Sequence, residues 1–172
     1  MEILKNWEIL KNWEIEKKMK IEIRRWGDNG LYTEGQMLVN GRMAIPYTVE
    51  YHDIKVKAGT YKAYLRKDGE KYTLSYVDDT ATERIIIAGH SFISAWKEQA
   101  VVVGDRLIPG AVYKGRHHLA RLINRISKAV KAGKKIRITF SEDEMQPTSI
   151  IRHWSVALNS ACLAARNDAV AK

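Results

Sequence analysis

Apolar and polar positions alternate with a period of two over much of this chain, the pattern of half-buried β-strands. Ile21 and Ile23 alternate with Lys20, Glu22 and Arg24, so a strand is predicted from Met19 onward. Residues 36–39 and 42–46 flank Asn40-Gly41, and both residue types accept the positive φ that a two-residue hairpin turn requires. Residues 60–65 and 71–76 flank Lys67-Asp68-Gly69-Glu70, which predicts a second hairpin with a turn of the same type. After a polar loop at 78–83, Ile85-Ile86-Ile87 reads as a central strand buried on both faces. Val101-Val102-Val103, ended by Gly104, reads as another short interior strand.

The period then changes. Leu119, Leu122, Ile123, Ile126 and Val130 fall on one face of a helix, and Gly133 stands where a C-terminal cap belongs. Ile136, Ile138 and Phe140 alternate with Arg137 and Thr139, returning the chain to strand. Trp154, Ala157, Leu158 and Ala161 have roughly helical spacing, and Pro147 suits the first turn of a C-terminal helix over 148–167. The predicted fold class is α+β, mainly β. Antiparallel hairpins form a curved sheet or partly open barrel, with one long amphipathic helix and a C-terminal helix. Three parts are expected: a leader at 1–18, a β-rich core at 19–140 and a helical extension at 141–172. The leader holds a tandem repeat, EILKNW at 2–7 and again at 8–13, with too few copies for a solenoid.

Composition changes this picture mainly through charge. Twenty-nine Lys and Arg against 20 Asp and Glu leave +9, an excess that attracts polyanions. Apolar residues make up 45%, enough for a core, yet no apolar run approaches the ~20 residues that span a bilayer. The first 20 residues mix charged and apolar types without the apolar stretch of a secretory signal, so cytoplasm is the expected location. A single cysteine, Cys162, excludes an internal disulfide and a multi-cysteine metal site.

Candidate chemistry concentrates where the clear helix begins. Tyr113-Lys114-Gly115-Arg116-His117-His118 precedes and opens it, and Arg121, Arg125 and Lys128 follow on the face opposite the apolar stripe. Free backbone N–H groups and the helix dipole favour an anion there, and Tyr113 offers a ring for a base to stack on. A solvated helix face kept soluble by charge is the plainer explanation of those cations. His117 and His118, being adjacent, are expected to point to different helix faces and to form no i, i+4 metal chelate. No P-loop, G-x-G-x-x-G or nucleophile elbow is present, so no cofactor, metal or catalytic residue is assigned.

Several segments in order carry a resemblance: Tyr47-Thr48-Val49-Glu50, Val56-Lys57-Ala58-Gly59-Thr60-Tyr61, Ile87-Ala88-Gly89-His90 and Ala100-Val101-Val102-Val103-Gly104. Over residues 19–140 the chain resembles a family of uncharacterised phage and bacterial proteins whose domain is similar to the L,D-transpeptidase catalytic domain. The family's His-Ala-Gly-Asn and Gly-Cys patterns imply a histidine where Ile87 stands and a cysteine in the pair Gln99-Ala100. Neither residue type is there, and His90, three residues on, falls on the other face of a strand. The resemblance therefore implies a catalytically degenerate member whose pocket persists as a binding site.

The expected function is non-catalytic capture of an anionic small molecule, a nucleotide by preference. Arg84, His90, Tyr113, Arg116, His117 and Arg121 are its expected ligand-binding residues. The resemblance's phage setting implies an anti-defence role, sequestering a nucleotide signal in the host cytoplasm. The alternatives are a transpeptidase-like or peptidoglycan-related enzyme, and a nucleic-acid binder using Arg121, Arg125 and Lys128. No membrane partner is expected, and a homo-oligomer is left open.

Overall fold

The computed structural model describes residues 17–89 and 100–142, together with Trp7 and Ile9. The expected C-terminal helix, Cys162, His90, Gln99 and nearly all of the leader lie outside the described residues. The rest is mainly β: nine strands and one long helix. The strands are β1 (Lys18–Asp28), β2 (Tyr32–Val39), β3 (Arg42–Tyr51), β4 (Gly59–Asp68) and β5 (Lys71–Val77). Then follow β6 (Glu83–Ala88), β7 (Ala100–Ile108), β8 (Ala111–Tyr113), helix α1 (Gly115–Lys131) and β9 (Lys135–Glu142).

Both hairpin signals act as turns. Asn40 and Gly41 take φ of 50° and 79° between β2 and β3, the doubly positive pair of a type I′ turn. Between β4 and β5 only Gly69 is positive, at 62°, so this two-residue turn belongs to the II′ class instead. Gly133, at φ 79°, ends α1 as its position predicts.

The sheet runs β3-β2-β1-β9-β4-β5-β6-β7 and closes on itself where β3 pairs with β7, forming a ring. Most neighbours are antiparallel, but β1 with β9 and β6 with β7 are parallel, which hairpin signals cannot foretell. Inward positions alternate along each strand: Met19, Ile21 and Ile23 from β1 meet Ile136, Ile138 and Phe140 from β9. Leu122 and Ile126 of α1 complete this inner core, and the helix touches β3, β4, β5, β6, β7 and β9. The helix therefore lies across one end of the ring.

The connection from β3 to β4 must cross the other end, because three strands separate the two in the ring. It contains a 3-10 turn at His52–Ile54 and buries Val56 in the inner core. Arginines anchor its backbone from two sides: Arg25 donates to the Val56 carbonyl at 2.6 Å and Arg84 to the Ile54 carbonyl at 2.7 Å.

A second, smaller apolar cluster forms on the outside of the ring from Tyr47, Val49, Val102 and Val112, with Trp26, Tyr32 and Ile87 against it. It exists because β7 continues past the ring to pair with β8. The expectation for Ile85-Ile86-Ile87 is corrected accordingly. Ile86 is fully buried, whereas Ile85 and Ile87 face outward and are only partly covered.

Candidate functional site

Three glycines set the site. Gly89 directly follows β6, Gly104 lies in β7 where it leaves the ring, and Gly115 begins α1. A methyl group on Gly115 would collide with the Val103 carbonyl oxygen and the Gly89 nitrogen. One on Gly104 would stand 2.5 Å from the Tyr113 carbonyl oxygen, and one on Gly89 2.5 Å from a Val112 methyl. The close approach is tied by hydrogen bonds, Gly89 N–H to Val103 O at 2.9 Å and Gly115 N–H to Gly89 O at 3.3 Å. Backbone against backbone, the start of α1 is thus pinned to the residue after β6 and to the middle of the parallel strand β7.

Lys114, just before the helix, adopts the left-handed conformation at φ 53°, where an L residue other than glycine carries strain of about 1–2 kcal/mol. A left-handed residue followed by helical ones turns successive N–H groups into one concavity, a favourable seat for an anion. Among the described residues no side chain caps this end of the helix, and its first turn contains no acidic residue. The N–H groups that follow Gly115 in the first turn, and the positive end of the helix dipole, therefore meet no side-chain cap and no acidic side chain within that turn.

Around this point lies an open pocket of about 610 Å³ lined by Gly89, Asp105 and the run from Tyr113 to His118. That volume suits a ligand of nucleotide size. Lys114, Arg116 and His117 are exposed there. The Lys114 ammonium lies 5.4 Å from the centre of the Tyr113 ring, so it shares the face on which a base would stack. Asp105, opposite Tyr113 in the β7–β8 ladder, meets His118 at 2.7 Å from Oδ1 to Nε2. This contact holds the imidazole in place and engages Asp105, the one carboxylate among the described residues lining the pocket.

The six expected ligand residues divide. Tyr113, Arg116 and His117 are brought together in the pocket. Arg121 is exposed one turn further along α1 and does not line it. Arg84 belongs to the opposite end of the ring, where it pairs with Asp78 at 2.7 Å and holds the Ile54 carbonyl. It is part of the fold's frame there, not of this pocket. His90 lies outside the described residues, although Gly89 before it lines the pocket. His117 and His118 both line the pocket, with ring centres 6.4 Å apart, His118 half-buried against Asp105 and His117 exposed. Sequence spacing missed Asp105, whose only signal is its place directly after the interior run Val101–Gly104.

At the positions where the resemblance implies a catalytic pair, Ile87 and Ala100 present only hydrocarbon. Ala100 pairs with Ile85 in the β6–β7 register, which puts Ala100 and Ile87 on the same outer face. No Ser, Thr or Cys occurs among the described residues lining the α1 pocket. Among the described residues no helix is long and apolar enough to cross a membrane. Compared with protein-family models, curated proteins and solved structures, the chain matches none.

Proposed function

We propose that this protein is a non-catalytic binding protein that captures an anionic small molecule, a nucleotide by preference, at the N-terminus of α1. One observation carries the proposal: Lys114, Arg116 and His117 converge on a helix start without a side-chain cap, in a pocket where Asp105, the one carboxylate among its described lining residues, is engaged by His118. Phosphate oxygens would take the backbone N–H groups and the Arg116 guanidinium, which binds such oxygens in pairs. A base would compete with Lys114 for the face of Tyr113. The phage setting implied by the resemblance would make the captured molecule a host nucleotide signal.

The test is a thermal-shift screen of the full chain with AMP, ATP, GTP and cyclic dinucleotides. A nucleotide at 100 times its dissociation constant stabilises by about 2.7 kcal/mol, which for a chain of this size raises Tm by roughly 5–10 °C. The shift is expected to vanish in Arg116→Gln/His117→Gln. No shift with any nucleotide, or an equal shift in that variant, would overturn the proposal.

A further inference from the structure

The outward positions of three neighbouring strands carry a second concentration of positive charge, on the ring wall away from the α1 pocket. Register sets Lys18 opposite Lys135, and Lys20 opposite Arg137, across the parallel β1–β9 pair. On the other side of β9, Arg137 is also opposite Lys62 of β4. One row across the sheet therefore reads Lys20, Arg137, Lys62. Like charges directly opposite each other destabilise a sheet, so folding alone does not account for three such pairs on one face. Glu22 relieves only the margin, reaching Lys20 at 3.6 Å and Arg24 at 2.9 Å. Among the described residues, Lys18, Lys62, Lys134, Lys135 and Arg137 have no acidic partner.

This face is concave. A groove of about 780 Å³ runs over it between Asn40, in the β2–β3 turn, and Lys134, just before β9. Its lining mixes the cations with neutral hydrogen-bonding groups, the amide of Asn40 and the hydroxyls of Thr60 and Thr139. A second groove of about 390 Å³ shares Lys134 and Arg137 with the first and adds Lys62, Lys135 and the ring of Tyr64. The two adjoin at Lys134 and Arg137, and the second, which also reaches the apolar Ala63, Leu65, Ile136 and Val130, adds the half-exposed ring of Tyr64 beyond the cations.

We infer that this face binds single-stranded nucleic acid, with phosphates on the Lys20–Arg137–Lys62 row and a base stacked on Tyr64. A charged groove following a backbone, combined with an aromatic platform, is how single strands are held without sequence preference. A concave groove with neutral donors between its cations fits a linear polyanion better than a flat lipid surface. The partner also answers the like-charge rows directly, since phosphates would neutralise Arg137 and Lys62, which have no acidic partner among the described residues, and share Lys20 with Glu22.

Fluorescence anisotropy of the full chain with labelled 20-mer oligo(dT) and oligo(U), from 50 to 300 mM NaCl, tests this. Binding should weaken with salt, with a log–log slope near −0.7 for each phosphate contact. Lys62→Gln/Arg137→Gln should lower affinity well over tenfold at 50 mM NaCl and flatten the slope by about 1.4. Its Tm should hold or rise, because the variant removes like-charge pairs. Tyr64→Ala should weaken binding with the slope unchanged. The inference is overturned by absence of oligonucleotide binding at 50 mM NaCl, or by equal binding of the Lys62/Arg137 variant. It is also overturned if only Arg121→Gln/Arg125→Gln on α1 abolishes binding. A preference for phosphatidylserine vesicles over oligonucleotide, or equal affinity for a 20-bp duplex with no effect of Tyr64→Ala, overturns it too.

Discussion

Arg25 and Glu50 show how single residues hold the ring together. Their side chains are 2% and 3% exposed, and the guanidinium meets both carboxylate oxygens, at 2.7 and 2.8 Å. The same arginine donates to Val56 O and lies 4.9 Å from the centre of the Phe140 ring. Arg25→Met leaves a buried carboxylate without a partner and is expected to cost about 3–5 kcal/mol in urea unfolding. Arg25→Met/Glu50→Leu should recover most of that loss, since it removes both charges. A single variant as stable as the parent would contradict this account. Asp78 makes a pH-dependent contribution. Burial alone would push its carboxyl up, but hydrogen bonds from the Thr80 hydroxyl, the Thr82 amide and Arg84 outweigh burial and bring it down to about 2. A carboxyl lowered by folding stabilises fully above its ordinary range near pH 4, and that stability is lost as pH falls toward 2. Asp78→Asn should therefore flatten the pH dependence of the urea midpoint between pH 4 and pH 2. A dependence equal to the parent's would show that other groups carry it.

At the scale of the element, α1 is placed by its first residue more than by its apolar stripe. Leu122 and Ile126 bury its inner face, but Gly115 sets how closely the helix start approaches β6 and β7. Gly115→Ala puts a methyl group against two backbone segments that cannot swing aside. It is expected to cost about 1–3 kcal/mol and to abolish the nucleotide-dependent thermal shift. Gly133→Ala at the other end is the informative contrast. Its φ of 79° makes the substitution cost about 1–2 kcal/mol, yet a methyl there meets nothing within 4 Å. The nucleotide response should persist in Gly133→Ala. If both variants lose it equally, the response reports stability and not the geometry of the pocket.

For the whole molecule, closure and charge oppose each other. The β3–β7 pairing joins residues about 50 positions apart and leaves the ring without a free seam, with α1 over one end and the Val56 segment over the other. Against this, a net charge of +9 repels itself in the compact state. Screening should then stabilise the fold. Tm by calorimetry is expected to rise between 20 and 200 mM NaCl, and to rise less in Lys62→Gln/Arg137→Gln. A fall in Tm over that range would assign the charge a net stabilising role.

What could be read from the chain alone were features encoded by neighbours. Period-two alternation, the Asn40-Gly41 turn, the α1 stripe and Gly133 depend on contacts or dihedral angles within a few residues, so the mainly β class and the long helix were legible. The concentration of Tyr113, Arg116 and His117 was legible for the same reason, because they are consecutive or nearly so at a helix start. Other features come from partners distant in sequence. The parallel pairing of β1 with β9 brings Lys20 beside Arg137, and β9 with β4 brings Arg137 beside Lys62. Asp105 reaches His118 only because β7 leaves the ring to pair with β8, and Arg84 turns away to Asp78 and Ile54 at the far end. Local pattern determines which residues face in or out along a strand; only closure of the ring decides which strand lies next to it, and so which charges meet.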